Sequence, residues 1–168
     1  MIEAGLVTRE MRVELLDGVI TEKMGTGSVH DFIVRQLMAL LVRRLGSRHA
    51  VGVQSPVLLP PESRPEPDLW VSRQSEGSHR DRTVEATDLL LVIEVADSSL
   101  TKDRTVKLPI YARAGVPELW IVNVAAEEIE RHRLPRADGT YGSKEVYGRA
   151  DALPSELVGE LSVDAVLG

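Results

Sequence analysis

Cysteine is absent from this chain of 168 residues, which excludes disulfide bonds, thiolate zinc sites and cysteine nucleophiles. Apolar runs of membrane-spanning length are also lacking, and the first residues do not have the layout of a signal peptide. We therefore expect a cytoplasmic protein with no membrane partner. Positive charge is not in excess either: the formal net charge is −6, which argues against a protein that coats nucleic acid regardless of sequence.

The length and composition predict a single globular domain over residues 1–168. Hydrophobic residues make up 43% and charged residues 27% of the chain, which is ordinary for a domain with its own core. The sequence has no glycine-rich phosphate loop, no Gly-x-Ser-x-Gly motif and no histidine pair at zinc-binding spacing. These patterns give no support to a P-loop nucleotide site, a serine hydrolase or a zinc protease.

Two apolar runs enclose the predicted centre of the fold. Leu89–Val95 is apolar apart from Glu94 and predicts a buried strand, and Glu118–Val124 predicts a second one. The segment between them predicts a helix that ends before Gly115 and is bent at Pro109. A strand, a helix and a returning strand form a right-handed βαβ unit, so we expect an α/β fold.

The N-terminal part predicts a β-hairpin. Arg12–Leu16 and Val19–Met24 are strand-like, and the Asp17-Gly18 pair between them favours a two-residue turn. Glu14 alternates with its apolar neighbours and should face away from them. Taken alone, this carboxylate is expected to be a solvated strand residue.

A long amphipathic helix is predicted over Val29–Leu45, with Ser28 as its N-cap and Gly46 just after its end. Its predicted apolar stripe consists of Val29, Phe32, Ile33, Leu37, Leu40, Leu41 and Leu45. His30 lies in the first turn. A lone histidine there is more typical of a surface or capping position than of a metal ligand.

Prolines dominate the next segment and restrict its backbone. Val51–Leu59 predicts a strand broken by Pro56, and an extended path then leads to Asp68 and the strand Leu69–Val71. The prolines on that path are Pro60, Pro61, Pro65 and Pro67. They are expected to hold the carboxylate of Asp68 in a fixed place.

The remaining segments complete the predicted order. Ser72–Asp88 is polar and could contain a short helical turn, form a mobile lid or be a variable surface insertion. We favour the insertion, with the lid as second choice. Glu127–Leu134 and Tyr141–Tyr147 predict two antiparallel strands added to the sheet, with Asp138-Gly139 in the turn. Leu153–Leu167 predicts a short amphipathic tail.

Asp68 and Glu94 each lie near the end of a predicted strand and are the first candidates for chemistry. If the two strands are neighbours, the carboxylates converge, and a cation between them would relieve their repulsion. Oxygen ligands without histidine or cysteine favour Mg²⁺ or Mn²⁺. The backbone carbonyl of Val95 is a candidate third ligand, with waters filling the remaining positions.

Asp103, Lys107 and Tyr111 are spaced four residues apart and share one helix face. From there Lys107 could orient an attacking water or stabilise charge on a phosphate. The alternative, to which the spacing gives equal weight, is that Asp103 and Lys107 form an exposed helix pair. Two carboxylates, a metal and a lysine fit phosphodiester hydrolysis.

The sequence resembles the Uma-two family of restriction-type endonucleases, in the PD-(D/E)XK nuclease superfamily, over almost its whole length. The segments that carry the resemblance are VELLDGVI, HDFIVRQLMALL, PEPDLWV, LLVIEVADSS and KDRTVKLPIYARAGVPELWIVNV. The resemblance implies a restriction-endonuclease-like central mixed β-sheet flanked by helices, with a Mg²⁺-dependent nuclease centre. Asp97 and Asn123 depart from the usual family pattern.

By position, the resemblance implies that Asp68 is the motif aspartate and Glu94 the second acidic ligand. The superfamily lysine, two places after that acid, falls at Ala96, and the resemblance implies that Lys107 replaces it. Glu14 matches a further family acid and is implied as an accessory ligand. Asp103 matches the aspartate before the lysine and is implied as a supporting residue.

The sequence supports two hypotheses about the function of the protein. The first is a Mg²⁺-dependent DNA endonuclease that acts as a homodimer. The second is a dimeric DNA-binding or protein-interaction module that keeps the nuclease fold without catalysis. The acidic balance and the displaced lysine leave room for the second hypothesis, and Mn²⁺ binding would discriminate between them.

Overall fold

The computed structural model describes residues 13–23, 25–73 and 82–168. The strands are Val13–Leu16 (β1), Val19–Glu22 (β2), His49–Val53 (β3), Val57–Leu58 (β4), Leu69–Arg73 (β5), Val84–Glu85 (β6), Leu89–Ala96 (β7), Glu118–Asn123 (β8), Glu128–Pro135 (β9), Tyr141–Gly148 (β10), Ala152–Leu153 (β11) and Leu161–Ser162 (β12). The helices are Ser28–Leu45 (α1), a continuous helix made of Leu100–Lys102, Asp103–Lys107 and Leu108–Arg113 (α2), and Val163–Leu167 (α3). Short 3₁₀ turns occupy Gly46–Arg48 and Ala86–Asp88.

A mixed sheet forms the centre of the fold. Within the described residues it has six strands in the order β10-β9-β8-β7-β5-β3. β7 and β8 are parallel and are joined through α2, whereas the other neighbouring pairs are antiparallel. This arrangement confirms the α/β class, the strand–helix–strand unit and the antiparallel addition of β9 and β10. No helix among the described residues is both long enough and apolar enough to span a membrane.

Each face of the sheet packs against its own helices because side chains alternate between the faces along a strand. One hydrophobic core joins α1 and α3 to the sheet and contains Trp120. The other core joins α2 to the opposite face and contains Trp70 and Tyr111. Glu94 lies on the α2 face, on a strand whose other residues are all apolar.

The predicted hairpin and helix ends are largely confirmed. β1 and β2 pair antiparallel across Asp17 and Gly18, whose φ angles of 47° and 76° suit a tight two-residue turn. Ser28 is the first residue of α1 and not its cap; Gly27 occupies the N-cap position, without a side-chain hydrogen bond. The helix ends at Gly46, which has a φ of 59°.

The apolar stripe of α1 is shifted from the prediction. Val29 and Phe32 are 51% and 38% exposed, whereas Val34 is buried. His30 belongs to the buried side, together with Ile33 three residues later. The helix therefore turns a polar side chain of its first turn toward the protein interior.

Two predicted segments have more regular structure than expected. Ser72 belongs to β5, and residues 84–88 form β6 and a 3₁₀ turn, so the polar loop is shorter than predicted. Residues 74–81 lie outside the described part of the chain. The C-terminal tail folds into the β11–β12 pair and α3. Between β11 and β12, Pro154 has no N–H to donate and Gly159 has a φ of 79°, so this stretch does not form a continuous helix.

The middle of α2 is π-helical over Asp103–Lys107, where the backbone N–H of Leu108 bonds the carbonyl of Asp103. Pro109 follows directly and has no N–H to donate. A widened helical turn therefore lies just before the proline at which a bend is expected. Such insertions often occur at functional sites, and this one carries both Asp103 and Lys107.

Candidate active site

A polar cleft lies where β5 and β7 meet α2, the first turn of α1 and the β1–β2 hairpin. Its acidic lining residues are Glu14, Asp68, Glu94, Asp97 and Asp103, and its basic ones are Lys23, His30, Lys102 and Lys107. All five residues predicted to be catalytic therefore line a single cleft. Val95, the candidate carbonyl ligand, lines it as well.

Strand pairing places Asp68 beside Glu94. Leu69 of β5 pairs with Ile93 of β7, and the two strands are antiparallel. Asp68, just before Leu69, therefore lies next to Glu94, just after Ile93. The Asp68 side chain is 6% exposed. One of its oxygens, Oδ2, accepts the backbone N–H of Val95 at 2.9 Å, and Oδ1 lies 3.1 Å from Nε2 of His30. Burial alone would raise the pKa of Asp68, but its bonds to His30 and Val95 hold that pKa below the usual range.

Glu94 is held from α2. Its Oε1 accepts hydrogen bonds from Nζ of Lys107 at 3.0 Å and from the hydroxyl of Tyr111 at 2.6 Å. Burial, helped by the negative charges of Asp103 and Asp68, raises the pKa of Glu94 to about 8 against the lowering effect of Lys107. A carboxylate whose ionised form is so disfavoured gains from any additional positive charge nearby.

Lys107 is enclosed by carboxylates. Its Nζ lies 3.0 Å from Oε1 of Glu94, 3.0 Å from Oε1 of Glu14 and 3.9 Å from Oδ1 of Asp103. Burial would lower the pKa of Lys107, but these three carboxylates raise it above the usual range. The shared helix face of Asp103, Lys107 and Tyr111 is confirmed. The alternative of an exposed pair is wrong, because Asp103 is 1% and Lys107 5% exposed.

Glu14 reaches the same ammonium from the hairpin. It is 2% exposed, so the expectation of a solvated strand residue is wrong. Its Oε1 also accepts the backbone N–H of Glu66 at 2.9 Å, and its Oε2 accepts Nζ of Lys102 at 3.1 Å. The alternation along β1 was predicted correctly, but the side that carries Glu14, together with Leu16, is the buried one.

His30 is the site residue that the sequence reasoning underrated. It is 4% exposed, with Nε2 facing Asp68 and Nδ1 at 3.2 Å from Oδ1 of Asp31. Burial would lower the pKa of His30, but its bonds to the two aspartates raise it. A surface or capping position was therefore wrong. The available signal was its spacing of three and seven residues before Ile33 and Leu37, which places it on the buried helix face.

Negative charge outweighs positive charge around the cleft. Oδ2 of Asp103 accepts the hydroxyl of Ser99 at 2.6 Å, but its buried Oδ1 has no hydrogen-bond partner within the described residues. Among those residues, no three His, Asp or Glu side chains are already arranged to hold a metal ion. The cleft has hard oxygen donors in pairs, which suits a cation that keeps part of its own water shell.

The chain shares its fold with a solved structure. It is similar to the crystal structure of a putative nuclease belonging to DUF820 from Anabaena variabilis, with a TM-score of 0.74. The two are 15% identical, and the match covers 98% of this chain and 94% of the other. At this identity the likeness shows the fold alone. No curated protein matches the chain.

The family is defined by the sequence itself. Residues 3–166 match the Uma2 family, described as putative restriction endonuclease. Because this match spans nearly the whole chain, the protein belongs to the Uma2 family. The resemblance noted from the motifs is thereby confirmed.

Proposed function

We propose that this protein is a metal-dependent nuclease that hydrolyses phosphodiester bonds in DNA. The observation that carries the proposal is the meeting of two buried carboxylates, Asp68 and Glu94, with the buried ammonium of Lys107 in one cleft. The family description and the fold of its structural neighbour support the same reaction class.

Mg²⁺ or Mn²⁺ fits the residues of this cleft. The candidate ligands, which would hold the ion together with waters and substrate oxygens, are Asp68, Glu94 and the carbonyl of Val95. Mg²⁺ is commonly bound through only one or two carboxylates, so the pair is sufficient. A bound cation would also stabilise the ionised form of Glu94, whose pKa is raised, and would share the cleft with the Asp103 oxygen that has no hydrogen-bond partner within the described residues. When bound, the ion would polarise a phosphoryl oxygen and acidify a water.

The protein's own groups would do the rest by position and charge. Lys107 remains an ammonium because its pKa is raised, so it serves as a donor that orients water and stabilises negative charge on the phosphate, not as a base. Glu14 and Asp103 hold Lys107 from two sides, and Tyr111 fixes the Glu94 oxygen that Lys107 shares. His30 orients Asp68 from the side opposite the Val95 amide.

The test is a cleavage assay on supercoiled plasmid and on labelled oligonucleotides, in EDTA, Mg²⁺ or Mn²⁺. We expect metal-dependent nicking by the wild type, lost by at least about 100-fold in Asp68→Asn and Lys107→Met. Asp138→Asn is the matched control, because Asp138 lies in the exposed β9–β10 turn. Cleavage that persists in both site variants would refute the site assignment.

Calorimetric titration with Mn²⁺ separates this function from the interaction module. Binding that Asp68→Asn weakens supports a metal centre even if the DNA substrate has not been found. DNA binding without any Mn²⁺ binding would instead favour the non-catalytic module. Sedimentation of the purified protein tests the predicted homodimer separately.

A further inference from the structure

A second charged cluster lies on the α2 face of the sheet, outside the cleft. At its centre is Glu130 of β9, which is 1% exposed. Its carboxylate accepts a hydrogen bond from Arg104 of α2 and lies 3.0 Å from Nζ of Lys144 on β10. His132 Nε2 lies 3.1 Å from the other oxygen. Three elements are therefore joined at one buried carboxylate.

Sheet register relates this cluster to the cleft. Glu94 of β7 pairs with Ile121 of β8, and Ile121 pairs with Glu130 of β9. Residues paired in this way point to the same face, and neighbouring strands lie roughly 5 Å apart, so Glu94 and Glu130 are separated by roughly 10 Å along one row. α2 crosses this row. Lys107 contacts Glu94, and Arg104, three residues earlier, contacts Glu130.

The cluster presents positive charge outward. The side chains of Arg104 and Lys144 are 38% and 48% exposed, whereas the carboxylate between them is buried. Burial lowers the pKa of His132, so this histidine adds little charge at neutral pH. Two cations thus face one anion in a protein whose net charge is −6.

The Arg104 guanidinium has donors to spare. Within the described residues its hydrogen bonding is confined to one contact, from Nη2 to Glu130. Its Nε is buried without a partner among these residues, so the Nη groups of this 38% exposed side chain are the donors that a ligand could use. A planar guanidinium that is anchored at one edge can present another edge to phosphate oxygens. The ammonium of Lys144 adds a second donor on the adjacent strand.

We infer that Arg104 and Lys144 form a subsite that binds a backbone phosphate of the nucleic acid, beside the phosphate that is cleaved. This inference rests on the proposed nuclease function. A separation of roughly 10 Å corresponds to about three base-pair rises of 3.4 Å measured along the axis of a duplex, so the subsite would contact a flanking phosphate. Glu130 sets the positions of the two cations and prevents them from repelling each other.

The test measures binding without cleavage. Fluorescence anisotropy of a labelled DNA duplex, in EDTA and over a range of salt concentrations, is compared for the wild type, Lys144→Gln, and Arg104→Gln with Lys144→Gln. We expect Lys144→Gln to weaken binding about tenfold and to lower the slope of log affinity against log salt by about one. The double variant should lower the slope by about two, and Lys144→Arg should retain the wild-type affinity.

Arg149→Gln is the matched control. The Arg149 side chain is also 38% exposed and also forms ion pairs, with Glu127 and Asp164, but it contacts α3 on the other side of the sheet. The inference is overturned if Lys144→Gln, checked for an unchanged melting temperature, binds DNA with the wild-type slope, or if Arg149→Gln has the same effect. Either result leaves the nuclease proposal intact. A wild type that binds no DNA overturns the subsite inference, whereas the nuclease proposal is decided by the cleavage assay.

Discussion

Replacing Lys107 by methionine should show how strongly the cleft depends on a single positive charge. Lys107 is 5% exposed and lies within 3.0 Å of Glu14 and of Glu94, with Asp103 at 3.9 Å. Methionine fills a similar volume but leaves these carboxylates without their common cation. Removing one partner of a buried ion pair typically costs about 3–5 kcal/mol. We expect Lys107→Met to lower the free energy of unfolding by that amount at pH 8 in EDTA.

The free energy of unfolding that Lys107→Met loses should grow with rising pH. Without the ammonium, the pKa of Glu94, already raised by burial, rises further. A carboxyl with a raised folded-state pKa favours the folded state below its unfolded pKa, and that contribution is lost as pH rises through the folded pKa. Wild-type Glu94 loses this contribution up to its folded pKa of about 8, whereas the variant continues to lose it above that pH. The defect of Lys107→Met should therefore be larger above about pH 9 than at pH 7.

The assay is urea unfolding followed by circular dichroism, with two reference variants. Lys23→Met is the matched control. Lys23 also lines the cleft, but its carboxylate partner on Glu66 is 37% exposed and 3.8 Å away, and its hydrogen bond goes to the neutral carbonyl of Glu66. The loss should therefore be smaller, about 1–2 kcal/mol. Adding Glu94→Gln to Lys107→Met should recover part of the stability, because one of the stranded carboxylates is removed. A loss below about 1 kcal/mol for Lys107→Met, or strictly additive effects in the double variant, would refute this account of the cleft.

Three further predictions concern other parts of the structure. His30→Ala should weaken Mn²⁺ binding, measured by calorimetry, about 10–100-fold. His30→Gln, which keeps an N–H for Asp68, should weaken it much less. Equal losses of Mn²⁺ affinity in the two variants would mean that the hydrogen bond to Asp68 is irrelevant. Gly52→Ala should lower the free energy of unfolding by about 1–3 kcal/mol, because a Cβ at this position would lie 2.0 Å from the Trp70 ring. Gly25→Ala, whose added Cβ would have nothing within 4 Å, should be nearly neutral. Equal effects of the two substitutions on urea unfolding would contradict this packing. Burial lowers the pKa of His132, so the folded state resists protonation of this histidine, and the free energy of unfolding should fall as pH drops below 6.5, the usual pKa of histidine. His132→Gln should flatten that decline. A pH profile of stability unchanged by His132→Gln would contradict this role of His132.

Much of the site could be predicted from the sequence because its residues lie at the ends of strongly patterned elements. Asp68 and Glu94 fall on neighbouring strands of high apolar content, and the spacing of Asp103 and Lys107 places them on one helix face. Such local patterns specify element type and side-chain direction. The β-hairpin, α1 and the βαβ unit were predicted for the same reason.

The surroundings of Glu14 and His30 could not be predicted in this way. Glu14 belongs to a two-stranded sheet outside the central one, and only tertiary packing decides which side of that hairpin faces the cleft. His30 is buried because Asp68, 38 residues later in the chain, meets it. Polar residues on a short hairpin or in a first helical turn are usually solvated, so the general expectation was misleading here. The folded C-terminal tail likewise depends on contacts between α1 and α3.

The two hydrophobic cores have a consequence for spectroscopy. The chain contains two tryptophans; Trp70 belongs to one core and Trp120 to the other. Their indole N–H groups donate to different acceptors, Ser55 and Glu118, so the two fluorophores have separate surroundings. Replacing either tryptophan by phenylalanine leaves a single emitter in one layer of the sheet. A pair of such variants would reveal whether the layer that carries the cleft opens before the layer built on α1.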